Sequence, residues 1–163
     1  MNAISARRAR AAQSGFTLVE LLAVVTVVGV LAATALPAYA HLESDARAAV
    51  LQSARASLGT VARTVHASHL VDPQARGDGT ALRLESATVT LRNGYPAADA
   101  GLAAAAGFMT EDGQSDWQVA FAGGKVVVAP AGVHAVDRCN VTYAQAPAPG
   151  IAPAIAVTTS DCS

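Results

Sequence analysis

The sequence predicts an α+β fold: one long N-terminal helix whose second half packs on an antiparallel sheet built by the C-terminal half of the chain. Three patterns predict it. An uncharged apolar run lies between Glu20 and Glu43, an amphipathic stripe follows it, and strand-like alternation with tight-turn dipeptides fills the remainder. At 163 residues the chain holds one domain plus an extended helix, not two substantial domains. Hydrophobic content of 52% is skewed by the apolar run and by alanine, so it does not by itself imply a large core.

The apolar run comes first. Only Thr26, Thr34, Tyr39 and His41 bring polar side-chain groups to it. About 22 helical residues rise roughly 33 Å, enough to cross a hydrocarbon core. Arg7, Arg8 and Arg10 precede it without an acid, which holds that end in the cytoplasm. Glu20 sits inside the apolar segment, where an unpaired carboxylate costs several kcal/mol, so it needs a partner. Past the run, Leu51, Ala54, Leu58, Val61 and Val65 recur at helical spacing, with Arg47, Gln52, Arg55 and Arg63 on the opposite, solvated face. The helix is expected from Phe16 to about Val71, its first half projecting from the globular part. Pro37, and with it Gly29, marks where it can deform.

Asp72-Pro73 ends that helix, and residues 74–80 (QARGDGT) form a loop in which Arg76-Gly77-Asp78 is ordinary turn composition. Leu82, Leu84, Val89 and Leu91 read as one strand with an irregularity at Ser86-Ala87. Asn93-Gly94 turns the chain, and Tyr95-Pro96 enters a short helix over residues 97–106. Trp117, Val119 and Phe121, then Gly123-Gly124, then Lys125 to Val128, make a β-hairpin. Strands at 139–143 and 155–159 flank a proline-rich loop, residues 146–153.

Few residues suggest chemistry. Glu111, Asp112 and Asp116 form a candidate calcium loop, but they lack EF-hand spacing, and a solvated acidic turn is the preferred reading. His66 and His69 share a helix face, yet no carboxylate or cysteine completes a metal site. No nucleophile elbow, phosphate loop or basic patch is present, so no enzyme, no cofactor and no nucleic-acid partner is expected. Cys139 and Cys162, if paired, close a loop of about twenty residues, worth about 3 kcal/mol, in an oxidising compartment; the alternative is two free thiols.

Gly15-Phe16-Thr17-Leu18-Val19-Glu20-Leu21-Leu22 resembles the processing site of type IV prepilins and pseudopilins. The resemblance implies a leader at residues 1–15, cut between Gly15 and Phe16 by a prepilin peptidase that also methylates the new amine of Phe16. It implies that Glu20 meets the N-terminal ammonium of a neighbouring subunit and so sets assembly register. Removing residues 1–15 takes three arginines and no acid, moving the formal side-chain charge from −1 to −4. The retained parts are then a hydrophobic membrane and filament-core helix at 16–40, an amphipathic second half at 41–71, and a globular sheet domain at 72–163.

Further stretches resemble the mannose-sensitive haemagglutinin (MSHA) branch of type IVa pilins. They are Leu36-Pro37, residues 42–49 (LESDARAA), Gly94-Tyr95-Pro96, and Cys139-Asn140-Val141-Thr142-Tyr143 with Cys162. This branch builds surface fibres for attachment and biofilm formation. The resemblance implies a single-pass inner-membrane subunit before assembly, leader cytoplasmic and globular domain periplasmic, that joins an extracellular homopolymer through a membrane assembly platform. A minor pilin and a type II secretion pseudopilin are the alternative readings.

Overall fold

The computed structural model describes residues 16–72, 77–85, 87–110 and 112–162. The chain forms two units, Met1–Ala40 and His41–Ser163. Helix α1, Leu18–Val71, contributes to both.

In the first unit, α1 begins at Leu18 rather than Phe16 because Thr17 caps it. The Thr17 hydroxyl accepts from the Glu20 amide at 3.2 Å, and the Thr17 carbonyl accepts from the Leu21 amide at 3.1 Å. That arrangement satisfies one of the donors a helix leaves unpaired at its start. The helical backbone continues through position 37.

In the second unit the helical stripe forms the spine of the core. Leu51, Ala54, Leu58, Val61 and Val65 are all buried, as the spacing predicts. They belong to one hydrophobic cluster with Val89, Leu91, Leu102, Val126, Val128, Val141 and Tyr143. The side opposite the stripe is not uniformly solvated. Gln52, Arg55 and Arg63 are exposed, but Arg47 is half-buried and donates to the Cys162 carbonyl at 3.0 Å.

Strands β1, Ala81–Arg83, and β2, Thr88–Arg92, correct the reading of a single interrupted strand. They pair antiparallel, with Leu82 opposite Val89, because the Leu84 amide donates to the Ala87 carbonyl at 2.9 Å and reverses the chain. Asn93-Gly94 then closes a two-residue turn, both residues at positive φ (53° and 81°), as hairpin turns of this length require. Gly94 is doubly constrained, since a Cβ there would lie 2.9 Å from the His69 ring. The returning segment Tyr95–Pro96 pairs with β2 as β3 rather than entering a helix.

Helix α2 is correspondingly shorter than predicted, Ala100–Ala105. Asp99 starts it, its carboxylate accepting from the Leu102 amide, and Gly107 at φ 82° ends it. An Asp ahead of an alanine run is a cap signal that the alanine pattern alone obscures. Gly101 lies against β2, where a Cβ would fall 2.2 Å from the Thr88 carbonyl oxygen. Only glycine permits that approach.

The second sheet is a meander in the order β4-β5-β6-β7, built from Trp117–Ala122, Lys125–Pro130, Cys139–Ala144 and Ala154–Thr159. Its first hairpin has the predicted Gly123-Gly124 turn, with Ala122 opposite Lys125. Trp117 and Val119 pack against the core and the Trp117 ring meets Phe108 edge-on at 5.1 Å, whereas Phe121 is 44% exposed. In β6 the inward residues are Cys139, Val141 and Tyr143. The buried Tyr143 hydroxyl donates to the Pro96 carbonyl at 2.8 Å, tying this sheet to β3. Asn140 is also buried, its amide donating to the Val136 carbonyl and its Oδ1 accepting from Thr142. No buried side-chain nitrogen or oxygen among the described residues lacks a partner.

Two outcomes are expected. Gly→Ala inside a helix normally stabilises by about 1 kcal/mol, but Gly101→Ala should destabilise by about 1–3 kcal/mol through overpacking against β2. Thermal unfolding of the detergent-solubilised chain, followed by the fluorescence of its single tryptophan, Trp117, measures the sign. Burial, with smaller contributions from Asp99 and Tyr95, pushes the Tyr143 phenol well above its ordinary range. The folded state therefore holds that proton more tightly than the unfolded chain. The associated stability is complete below pH about 10 and declines as pH rises beyond it. Tyr143→Phe should remove that alkaline loss in a pH series of the same melts.

Candidate functional site: the apolar helix and its cap

The first part of α1 carries the most unusual surface of the protein. Every large aliphatic residue from Leu18 to Leu31 is more than half exposed, and Phe16 is 86% exposed. The window Leu18–Ala35 has mean hydropathy 2.3, and none of it is buried. Fully covering a Val, Leu or Phe side chain is worth about 1.5–3 kcal/mol, so over this surface the uncovered total rivals the ~5–15 kcal/mol that holds a typical domain folded. Such a helix needs lipid or other helices around it.

Its polar groups are arranged for that setting. The Thr26 hydroxyl donates to the Ala23 carbonyl at 2.8 Å, and the Thr34 hydroxyl donates to the Leu31 carbonyl at 2.9 Å. Both are thus satisfied within their own helix, which a hydrocarbon medium demands. Glu20 is exposed in the third helical position after the Thr17 cap, where its charge meets the positive end of the helix dipole. Thr17 is a site residue that attention to Glu20 alone overlooks. The sequence does carry its signature, a Thr followed three residues later by Glu, which is the capping-box spacing. Phe16, first of the described residues, directly precedes the cap, so its backbone nitrogen and the Glu20 carboxylate belong to the same helix end. Gly15, the residue expected on the other side of the cut, lies outside the described residues. So do the side chain of Pro37 and that of His41.

At the other end of the chain, Cys139 and Cys162 form a disulfide with Cα atoms 4.9 Å apart. Cys139 opens β6, and Cys162 lies just beyond the end of β7. Arg47 reinforces the closure: one guanidinium nitrogen donates to the Cys162 carbonyl while another pairs with Glu43 at 2.7 Å, one helical turn away. Arg138 and Asp161 pair at 3.3 Å beside the bridge. The C-terminus is therefore fastened both to its own sheet and to α1.

The other described residues singled out by the sequence lie in the second unit. His66 Nδ1 donates to the Gly94 carbonyl at 2.9 Å, and its ring stacks on Tyr95 at 4.0 Å, nearly parallel. His69 stacks more loosely on His66, at 6.2 Å, so both histidines pack the β2–β3 turn against α1. His134 is exposed. Glu111 lies outside the described residues, while Asp112 and Asp116 are exposed on a turn closed by the Thr110 amide donating to the Gln114 carbonyl at 2.8 Å. Among the described residues no three His, Cys, Asp or Glu side chains gather to hold a metal.

A family model described as the prokaryotic N-terminal methylation motif matches residues 10–36, the span that holds Gly15, Phe16, Thr17 and Glu20. No curated protein and no solved structure matches the chain. The motif supports a type IV pilin- or pseudopilin-like prepilin, a structural protein rather than an enzyme. It implies processing by a prepilin peptidase and polymerisation, and together with the apolar helix it fits single-pass membrane anchoring.

Replacing Cys139 and Cys162 together by serine should cost the globular unit about 3 kcal/mol, given the loop they close. A reducing agent should lower the Trp117-monitored melting temperature of the native chain to that of the double variant and leave the double variant unchanged.

Proposed function

We propose that this chain is a structural subunit of a type IV pilus, of the kind built by the MSHA branch, and that the fibre serves attachment to surfaces and biofilm formation. The observation that carries the reading is the exposed apolar helix with a carboxylate one turn from its start. Residues 1–15 are the leader, cut between Gly15 and Phe16, and Phe16 is then methylated on its amine. Before assembly the subunit spans the inner membrane once, with the leader cytoplasmic and residues 41–163 periplasmic. The assembly platform moves it into an extracellular fibre, where apolar helices exchange lipid contacts for one another.

Glu20 directs that exchange. A carboxylate in an apolar setting is tolerated when paired and hydrogen-bonded, and the cut amine of Phe16 on a neighbouring subunit supplies a cation at the same depth. Register follows because no other formal charge lies between Glu20 and Glu43. An offset of one turn would leave both charges alone in the apolar core. Pro37 is the position at which α1 can deform as the subunit leaves the bilayer, since proline cannot donate to the helical ladder. The disulfide between Cys139 and Cys162 favours a pilin over a type II secretion pseudopilin, whose major form usually carries a calcium loop in place of a terminal bridge. Glu20 itself weighs against the tip-most minor subunit, which often lacks it.

Glu20→Ala should leave leader cleavage intact and abolish fibres, because breaking a buried pair costs about 3–5 kcal/mol at every subunit contact. Mass spectrometry of membrane and sheared fractions reads both effects, with a mature chain starting at N-methyl-Phe16. Fibre yield from the variant equal to that of the native chain would reject the register role.

A further inference from the structure

The geometry points to a head-to-tail contact between copies of this chain outside the apolar helix: the acidic turn of one copy, carrying Asp112 and Asp116, seats in the groove between α1 and β7 of the next, against Arg55 and Arg63. The inference rests on the polymer reading above and names the surfaces that would meet.

Two hollows of about 500 and 340 Å³ adjoin along α1 and share Gly59, Arg63, Pro153 and Ile155 as their common wall. Arg63 and Ile155 border the floor at Gly59, since a Cβ there would meet the Arg63 guanidinium at 3.4 Å and Ile155 at 3.8 Å, both ordinary contact distances. Arg55 and Arg63 lie eight residues apart on the same helix, about 12 Å at 1.5 Å per residue. Among the described residues no carboxylate lines either hollow. Arg47, Arg92 and Arg138 each hold a carboxylate within 4 Å, whereas among the described residues neither Arg55 nor Arg63 does. The groove is thus a basic trough with an apolar end formed by Ala67, Leu70 and Pro153.

The complementary surface is on the same molecule but cannot reach the groove. In the sheet order β4-β5-β6-β7 the groove flanks β7, and Asp116 immediately precedes β4 at the opposite edge. Three strand spacings separate those edges, about 14 Å. Asp112 and Asp116 are exposed and, among the described residues, form no ion pair. Hydrogen bonds between Thr110 and Gln114 join the two residues that flank Asp112, which limits the ordering a dock would cost there. Unlike surfaces on opposite edges join heterologously. Such contacts repeat from copy to copy, which an open filament requires, and the wrong pairing, groove on groove, is rejected by like charge.

The test uses the full chain in cells that assemble the fibre, with Arg55→Glu plus Arg63→Glu as one variant and Asp112→Arg plus Asp116→Arg as the other. Each reversal should lower pelletable sheared fibre by roughly tenfold or more, with leader cleavage and membrane-inserted subunit unchanged, because charge reversal places like charges in contact. Combining all four substitutions should restore most of the fibre. Native yield from either reversal, or a fourfold variant no better than its parents, would overturn the contact while native fibres keep the polymer reading intact. Absence of fibre from the native chain would overturn the polymer reading and this contact with it.

Discussion

An apolar helix that leaves its large side chains uncovered is the constraint on which this protein is built. The surface from Leu18 to Leu31 is too extensive to stay in water, and residues 41–163 complete their own core without it. Something outside the chain must cover it. Lipid can do so for a single subunit and neighbouring helices can do so for a polymer. The internal hydrogen bonds of Thr26 and Thr34 make both settings equally accessible. Glu20 distinguishes them in the proposed fibre, where a cation at its depth would pair a carboxylate that lipid leaves alone.

The globular unit answers a different requirement. Its core is aliphatic and small, with alanine at many positions, so it depends on close approach more than on bulk. Gly101 against the β2 backbone and Gly94 under the His69 ring are the places where this shows. Tyr143 is the largest fully buried side chain among the described residues, and its hydroxyl links the two sheets through Pro96. A core of this kind is helped by covalent closure, and the bridge between Cys139 and Cys162 supplies it. Arg47 extends that closure to α1, so the helix that seeks other helices is joined to the C-terminus by a charged hydrogen bond as well as by packing.

A subunit that assembles indefinitely needs surfaces that differ from one another. The apolar helix supplies attraction without direction, since dispersion and burial are insensitive to register. Direction has to come from charge. In the proposed fibre Glu20 would provide it inside, and the separation of a basic groove at β7 from acidic side chains before β4 would provide a basis for it outside.

The helix, its stripe, the Gly-Gly hairpin and the last two strands are legible from local pattern alone, because each depends on periodicity or on a turn dipeptide. The N-terminal methylation motif is equally local, since Gly15, Phe16, Thr17 and Glu20 lie within a few residues of one another. The rest depends on contacts between distant segments. Leu82 to Leu91 alternate as one strand would, and only a hydrogen bond from Leu84 to Ala87 makes them two. Tyr95-Pro96 precedes alanines that favour a helix, yet pairing with β2 claims it for the sheet. Arg47 and Arg55 look alike along the helix, but one reaches the Cys162 carbonyl and the other faces the groove at β7. Local patterns record what a segment prefers; which neighbour satisfies its backbone and charges is settled only when distant segments meet.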